Sequence, residues 1–226
     1  ILAKNRKYFE NETSLLLSPE ASISICNDKF LTYRFLTRQS IPTPKTWTDI
    51  EHEGHKYPVV IKPRFGLGSK GVHFVHSVQE KMAISGEEEK IMQEYCSGRE
   101  YTVDIFAREG KLLAAVPRWR RETRAGISYS GKTCKNPTMV HYAEKIAKHL
   151  TLHGPANIQC FEQDSKIFVS EINPRFSAGL PLTTAAGVNI PLLCLRMVAG
   201  ENIEYQESYE NISMCRYWEE VFYEVN

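Results

Sequence analysis

The chain contains no apolar run that approaches the roughly 20 residues needed to span a bilayer. Its start also lacks a basic segment followed by an apolar one, so export is not expected. Neither sign of charge dominates, because 28 Lys and Arg residues stand against 27 Asp and Glu residues, a formal net charge of +1. This balance gives no general attraction to nucleic acids or anionic membranes. We therefore expect a cytoplasmic protein with neither kind of partner.

Cysteine and histidine spacings typical of zinc sites are also absent. The six cysteines are scattered, without a CxxC pair. Most of them stand among apolar residues, as Cys194 does, where a free thiol behaves as a small core residue. The histidines show no HExxH spacing, so zinc is not expected. These observations indicate a reduced protein.

The 226 residues suffice for one large domain or two small ones. Hairpin patterns mixed with amphipathic helices favour an α+β fold over a parallel doubly wound sheet. A helix is predicted over residues 26–40, capped by Asn27 and stopped by prolines. The other predicted elements are strands at 58–62, 72–76 and 90–95, hairpins of 100–107 with 112–118 and of 156–161 with 167–173, and helices after Ser77, at 138–150 and at 190–198. The chain opens in mid-pattern, so we expect a fragment that lacks an N-terminal portion.

Three polar side chains follow the apolar run 167–169 at alternate positions: Glu171, Asn173 and Arg175. Alternate residues of a strand share a face, so Glu171 and Asn173 point the same way. Two oxygen ligands on one face suit Mg²⁺, which leaves its remaining positions to phosphates and water. Arg175 would bring a permanent charge to the same anionic space. The stretch predicts the floor of a nucleotide–metal site, and a strand ending in a solvated turn is the alternative.

A glycine-rich segment, residues 64–71, lies between two predicted strands, with Lys62 before it and Lys70 inside it. Its glycines would let backbone N–H groups approach phosphates closely, although a mobile turn is the simpler interpretation. It is neither a Walker A loop nor a Rossmann fingerprint, because no helix follows the glycines. Further along, residues 93–100 could offer extended backbone to an adenine edge and the Glu100 carboxylate to a ribose. An ordinary loop is the alternative there.

The order of these motifs resembles the ATP-grasp superfamily, most closely the ATP-grasp units of the carbamoyl-phosphate synthase large subunit. The strings that carry the resemblance lie within residues 24–200 and are 27–29, 60–63, 64–71, 94–96 with Glu100, 157–159 and 171–175. The resemblance implies an ATP-grasp fold, in which two α/β subdomains with antiparallel sheets grip ATP. It divides the chain into a remnant of a pre-ATP-grasp domain (1–22), a first subdomain (23–95), a second, catalytic subdomain (96–202) and a C-terminal extension (203–226).

The resemblance also implies roles for individual residues. ATP would be bound by Lys29, Lys62, Gly66, Gly68, Ser69, Lys70, Gly71, Glu94, Tyr95, Cys96 and Glu100. Gln159, Glu171 and Asn173 would hold Mg²⁺, with Mn²⁺ as an alternative ion. Arg175 would stabilise the transferred phosphoryl group, with Lys62 and Asn173 as further catalytic residues.

Gln159 stands where many members of the superfamily carry a carboxylate, and a neutral amide binds Mg²⁺ more weakly. The synthase type can carry glutamine there. Gln159 and Glu171 can share a face only if the turn between them has an odd number of residues or the hairpin holds a bulge. A plain two-residue turn at 164–165 would place them on opposite faces.

Four arginines cluster between residues 118 and 124. Arg118 and Arg120 share a strand face and are predicted to capture an anionic substrate or the γ-phosphate. A solvated strand end is the alternative, and nucleic-acid binding has no support from a basic surface elsewhere. Residues 123–135, rich in Gly, Ser and Arg, are expected to form a mobile loop over that substrate.

The resulting hypothesis is an ATP- and Mg²⁺-dependent ligase that activates a carboxylate as an acyl-phosphate for attack by an amine or ammonia. One alternative is a carbamoyl-phosphate synthase-like unit that uses bicarbonate and ammonia. Another is a nucleotide-binding module or dimerisation scaffold without catalysis. The expected partners are a small carboxylate and an amine, and a homodimer is left open.

Overall fold

The computed structural model describes residues 1–52, 54–66, 70–84, 86, 88–124 and 126–224. The helices are α1 (Arg6–Phe9), α2 (Glu20–Asn27), α3 (Lys29–Arg38), α4 (Val78–Met82), α5 (Pro137–His149), α6 (Leu180–Ala185) and α7 (Ile190–Val198). The strands are β1 (Thr46–Trp47), β2 (Val59–Pro63), β3 (His73–Val75), β4 (Lys90–Glu94), β5 (Arg99–Arg108), β6 (Lys111–Arg124), β7 (Ile127–Thr133), β8 (Gly154–Gln163), β9 (Lys166–Asn173) and β10 (Ser213–Cys215). Within these ranges, no helix is long and apolar enough to cross a membrane.

The strands form two antiparallel sheets. The small sheet has the order β1-β4-β2-β3, and the large sheet has the order β10-β7-β6-β5-β8-β9. Every pair of neighbouring strands in these two orders is antiparallel. Hairpins connect β5 to β6, β6 to β7 and β8 to β9, while helices separate β3 from β4 and β7 from β8. The predicted α+β class is confirmed.

One face of the large sheet carries the main apolar core. Alternate residues of β5, namely Tyr101, Val103 and Ile105, point to this face, and helices α2, α3 and α5 cover it. The apolar residues that recur at helical spacing along α5 and its C-cap are all buried: Met139, Ala143, Ile146, Ala147 and Leu150. The 3.6-residue period of this segment therefore identified the packed face correctly.

The opposite face of the large sheet is divided between an apolar and a polar part. At one end, Phe106 and Val116 pack with Val188, Ile190 and Leu193, so that α7 covers this end. The other end carries polar side chains and faces the small sheet across a cavity. The alternation of strand residues thus supports a core on one face and leaves a polar surface on part of the other.

The helix predicted over residues 26–40 is divided at Asp28 into α2 and α3. Asp28 has an extended backbone, with φ −107° and ψ 109°, and its carboxylate accepts the N–H groups of Phe30 and Leu31 at 2.9 and 3.1 Å. The predicted cap, Asn27, is instead the last residue of α2. The Asp28 carboxylate also accepts two hydrogen bonds from Nε of Arg64 and one from its Nη2, at 2.7–3.0 Å. The break therefore occurs where one carboxylate can both cap α3 and bind the residue that follows β2.

The expected mobile loop over residues 123–135 is wrong, because most of this segment is strand. Strand β6 continues to Arg124, and β7 pairs with β6 on one side and with β10 on the other. Gly131 permits the close pairing, since a Cβ at this residue would lie 2.7 Å from the carbonyl oxygen of Trp119. Backbone pairing on both edges outweighs the low strand propensity of the Gly and Ser residues.

The predicted division into domains stays a prediction. The small sheet lies within residues 46–94, and β5 to β9 lie within residues 99–173. Helices α2 and α3, assigned to the first subdomain, contribute Cys26 and Leu36 to the core under the large sheet. Strand β10, in the predicted C-terminal extension, forms an edge of the large sheet.

We expect Asp28→Ala to lower the free energy of unfolding by about 2–4 kcal/mol, as the sum of a lost helix cap and lost hydrogen bonds to a charged group. Asp28→Asn should cost less, because the amide oxygen can still cap α3. Burial favours a higher pKa for Asp28, but hydrogen bonds from Arg64 and from the N–H groups of Leu31 and Phe30 lower the pKa overall. The stabilisation should therefore be present above pH ~4, which is the pKa of an aspartate in the unfolded chain. It should be lost as the pH falls through the lower pKa that Asp28 has in the folded protein. Urea unfolding of the three proteins measures this, and equal losses in both variants would contradict it.

Candidate active site

A cavity of about 580 Å³ lies between the two sheets, within the roughly 300–1,000 Å³ usual for small-molecule sites. Strands β2 and β4 line it on one side, and β5, β6, β8 and β9 line it on the other. The predicted site residues that line it are Lys29, Lys62, Gly66, Lys70, Glu94, Tyr95, Cys96, Glu100, Arg120, Gln159, Glu171 and Arg175. Gly68 and Ser69 lie outside the described residues. The cavity therefore collects residues that are up to 146 positions apart (29 to 175) in the sequence.

A β-bulge between β8 and β9 places Gln159 directly opposite Glu171. The turn at Asp164 and Ser165 has positive φ at both residues, 50° and 60°, as in the two-residue hairpin turns that match strand twist. Beyond this turn the ladder is regular until the register shifts by one residue next to Gln159. Ser170 is the additional residue, and both Ser170 and Glu171 line the cavity. Of the two conditions derived from the sequence, the bulge is the one that is met.

Asn173 is more enclosed than this pair, with 5% of its surface exposed. Its Nδ2 donates to Oδ1 of Asn157 at 3.4 Å, and its Oδ1 accepts from Nη2 of Arg175 at 3.4 Å. Nδ2 of Asn157 donates to the carbonyl oxygen of Arg175 at 2.9 Å. Asn173 is thus adjacent to the cavity and orients Arg175, but it does not line the cavity as Gln159 and Glu171 do.

Lys62 presents its ammonium group to the cavity from the end of β2. Its Nζ donates to Oε1 of Gln93 at 2.9 Å, and Nε2 of Gln93 donates to Oγ1 of Thr46 at 2.8 Å. Burial lowers the pKa of Lys62 to about 8, while the Glu171 carboxylate opposes this shift. Sequence reasoning missed Gln93 and Thr46. The signal for Gln93 was a polar residue directly after Ile91 and Met92 in a buried strand.

The first residue of α3, Lys29, reaches the glycine-rich segment. Its Nζ donates to the carbonyl oxygen of Gly66 at 3.1 Å. Burial lowers the pKa of Lys29, and the carboxylates of Glu171 and Asp28 oppose the shift. Gly71 does not line the cavity. Its φ of +68° and a site for Cβ only 3.0 Å from Pro63 explain the glycine on conformational grounds.

The segment that follows β4 forms another wall of the cavity. Glu94 is tied to Lys45, because its N–H donates to the Lys45 carbonyl at 2.9 Å and its Oε2 accepts the Lys45 N–H at 3.2 Å. The Tyr95 ring meets Phe74 edge-to-face, with 5.7 Å between centroids. Burial raises the pKa of Cys96 to about 11, so its thiol is neutral at physiological pH. The wall is therefore partly apolar, with backbone groups at its edge.

Glu100 and Arg120 form an ion pair across β5 and β6 within the cavity. Burial raises the pKa of Glu100, and Arg120 opposes the shift. Nη2 of Arg120 also donates to the carbonyl oxygen of Gly126 at 2.7 Å, near the tip of the β6–β7 hairpin. Arg120 thus connects the cavity wall to this tip.

Arg118 occupies a different environment from the one expected for it. Only 1% of its surface is exposed, and Nε and Nη2 donate to the two carboxylate oxygens of Asp104 at 2.7 and 3.0 Å. It does not line the cavity. A carboxylate on the neighbouring strand therefore takes the place of the anionic substrate that the sequence led us to expect.

The cavity offers oxygen ligands to a cation. Among the described residues, no group of three or more His, Cys, Asp or Glu side chains could hold a metal ion. His52 and His55 stand three residues apart but pack around Trp47. Gln159 and Glu171 provide two neighbouring oxygens, which fit Mg²⁺ when phosphates supply further ligands.

A family model described as "ATP-grasp in the biosynthetic pathway with Ter operon" matches residues 87–220. The chain belongs to this ATP-grasp family. The matched region contains the entire large sheet together with Glu100, Gln159, Glu171 and Arg175.

Similar curated proteins include large chains of carbamoyl phosphate synthase. The chain is 26% identical over 220 residues to that of Caldanaerobacter subterraneus, covering 86% of this chain and 20% of the relative. It is 24% identical over 223 residues to that of Clostridium acetobutylicum, covering 88% and 21%. The chain thus spans about a fifth of the length of these relatives.

Solved structures confirm the ATP-grasp fold. The biotin carboxylase domain of 2-oxoglutarate carboxylase from Hydrogenobacter thermophilus, a dimer crystallised with MgADP, ADP and bicarbonate, superposes with a TM-score of 0.77. It is 17% identical, and the match covers 93% of this chain and 54% of that one. N5-carboxyaminoimidazole ribonucleotide synthetase from Thermotoga maritima gives a TM-score of 0.67 at 21% identity, covering 94% and 60%.

We expect the Lys62 amine of this ATP-grasp protein to titrate with a midpoint of about 8. Glu171→Gln should lower that midpoint further, because it removes the carboxylate that favours the charged amine. Glu144→Gln, an exposed change on α5, is the matched control and should leave the midpoint unchanged. Carbon NMR of lysine side chains labelled at the ε-position measures all three proteins. An unshifted midpoint in Glu171→Gln would contradict the electrostatic effect of Glu171 on Lys62.

Proposed function

We propose that the protein is an ATP- and Mg²⁺-dependent ligase that activates a carboxylate as an acyl-phosphate, which an amine or ammonia then attacks. The observation that carries the proposal is the meeting of Lys62, Glu171, Gln159 and Arg175 in one cavity between the two sheets of an ATP-grasp fold. These residues bring cations and oxygen ligands to the same small volume. Such a combination suits a triphosphate with its metal ion.

The nucleotide would lie along the cavity with its phosphates towards the large sheet. Lys29 and Lys62 would bind phosphate oxygens, and the glycine-rich segment with Gly66, Gly68, Ser69, Lys70 and Gly71 would cover them. The partly apolar wall of Glu94, Tyr95 and Cys96 would hold the adenine. Glu100 would accept the ribose hydroxyls, which is compatible with its pairing to Arg120 because a carboxylate has about four acceptor positions.

Gln159 and Glu171 would hold Mg²⁺, with Asn173 as a further oxygen ligand at the end of β9. The ion would neutralise charge that develops on the phosphates and orient them. The carboxylate of Glu171 and the amide oxygen of Gln159 fit this role, since they give a weak site that phosphates complete. Mn²⁺ accepts the same oxygen ligands and remains an alternative ion.

The phosphoryl transfer requires no nucleophile from the protein. A carboxylate oxygen of the acceptor attacks the γ-phosphorus, the bond to the β–γ bridging oxygen breaks, and ADP leaves. The amine then attacks the acyl carbon, the carbon–oxygen bond to phosphate breaks, and the amine releases a proton. Arg175 and Lys62 would stabilise the charge on the transferred group, so the protein acts through positioning and electrostatics.

A carbamoyl-phosphate synthase-like unit, in which the same two steps would give carbamate and phosphate, is the second candidate. It is favoured by the 26% identity to a carbamoyl phosphate synthase large chain. In that case bicarbonate would be the carboxylate and ammonia the amine. Phosphate release that requires bicarbonate and ammonia together, and no larger carboxylate, would select this candidate.

The acceptor is identified by screening phosphate release from MgATP by the natural full-length protein against small carboxylates, amino acids, bicarbonate and amines. We expect Lys62→Ala and Glu171→Ala to abolish turnover while the far-ultraviolet circular dichroism stays unchanged. Lys148→Ala and Glu144→Ala, exposed changes on α5, are matched controls and should retain full activity. If both cavity variants retain turnover, the assignment of Lys62 and Glu171 to the active site is wrong. Nucleotide binding without turnover across the whole panel would favour the non-catalytic module.

The affinity for MgADP should fall as the pH rises above about 8, because the Lys62 amine then loses its proton in the free protein. The loss should approach about tenfold per pH unit, the limit for one essential proton. Lys62→Arg, whose charge persists to high pH, should flatten this profile. Titration calorimetry between pH 6.5 and 9.5 measures both proteins. A wild-type affinity that is constant across this interval would contradict the role of Lys62.

A further inference from the structure

Arg118 is at the centre of a buried polar cluster that the proposed chemistry does not use. Besides its two bonds to Asp104, its Nη2 donates to Oγ of Ser177 at 2.8 Å. Asp104 also accepts a hydrogen bond from Thr183 in α6. Arg118 and Asp104 are each 1% exposed, and Thr183 is fully buried. Both oxygens of the carboxylate are therefore occupied within the protein.

Gly179 lies against the face of the Arg118 guanidinium. A Cβ at this residue would be 2.3 Å from Nη1 and 2.9 Å from Cζ of Arg118. The backbone of Gly179 has a φ of −91°, which other residues adopt easily. The glycine is therefore required by the close approach of Arg118 and not by the backbone conformation.

The residues that Arg118 contacts lie shortly after Arg175 in the sequence. Ser177 and Gly179 are two and four positions after Arg175, in the connection between β9 and α6. Asn157 holds the carbonyl oxygen of Arg175 at 2.9 Å, just before this stretch. The short segment 175–179 is thus attached to the large sheet at its beginning by Asn157 and at its end by Arg118.

We propose that Arg118, held by Asp104, is a positioning residue that keeps segment 175–179 in place and thereby directs the Arg175 side chain into the cavity. This inference rests on the proposed function of Arg175 at the transferred phosphoryl group. A buried ion pair is an inefficient source of stability, because desolvation of both charges offsets most of their attraction. A fixed bidentate geometry, in contrast, is what a planar guanidinium supplies and a lysine does not.

The test compares binding of MgADP with binding of Mg²⁺ and the β,γ-imido analogue of ATP, because only the analogue carries a terminal phosphate for Arg175. The variants are Ser177→Ala, Gly179→Ala and Arg118→Lys. We expect about tenfold weaker binding of the analogue and less than about twofold change for ADP, as for a misdirected charged contact. In a Ser177→Ala background, Arg175→Ala should cause no additional loss, since both changes remove the same contact.

Ser22→Ala is the control for a merely structural effect. It removes the hydrogen bond from a buried serine to the carbonyl oxygen of Leu150, away from the cavity. It should leave binding of both nucleotides unchanged. Equal losses for ADP and the analogue, or additive losses of Ser177→Ala and Arg175→Ala, would overturn the positioning role.

Hydrogen exchange separates this inference from the proposed function. The amides of residues 175–179 should exchange faster in Ser177→Ala than in wild type, and at the wild-type rate in Ser22→Ala. Wild-type protein that binds neither nucleotide would refute the proposed function, and exchange alone would then decide whether Arg118 anchors the segment. Unchanged exchange in Ser177→Ala would overturn the anchoring in either case.

Discussion

A β-bulge in one hairpin determines which side chains the end of β9 presents to the cavity. If the regular ladder from the 164–165 turn continued without a bulge, Ser170 would pair with Gln159, and Glu171 would lie opposite Ile158 and face the apolar core. The bulge moves Glu171 to the cavity side and adds local twist where the strand meets the cleft. Every contact assigned to the end of β9 depends on this shift. A buried, unpaired carboxylate would otherwise stand among core residues such as Ile158 and Val169, at a high cost in free energy.

The same shift sets the charge balance of the cavity. Glu171 favours the charged form of both Lys62 and Lys29, whereas burial opposes it for both. Glu100, a second half-buried carboxylate in the cavity, is already paired with Arg120. The cavity lining carries five Lys and Arg side chains against three Glu side chains, so positive charge is in excess in a partly desolvated space. A polyphosphate with its metal ion supplies what this arrangement lacks, since it brings several negative charges and still leaves oxygens for a cation.

Local patterns revealed much of the fold, and contacts between distant residues account for what they missed. The helix at residues 137–149 and the two long hairpins were predicted because their hydrophobic periods are clear, although β6 continues six residues beyond its predicted end at 118. The order of weak motifs also identified most of the cavity lining. The break at Asp28 was missed because it depends on Arg64, 36 positions away. Likewise, β7 is a strand because β6 and β10 pair with it on both sides, which its own composition does not indicate.

Arg118 and Arg120 show most directly why residue type and strand face are insufficient to assign a role. The two arginines share a strand and a face, two residues apart, and each meets a carboxylate of β5. Arg120 pairs with Glu100 at the open end, where the cavity gives both groups access to a ligand. Arg118 pairs with Asp104 where α6 and Ser177 close over the sheet, so its charge is used inside the protein. The difference lies in what covers each position, and that is set by a segment almost 60 residues further along the chain (118 to 177).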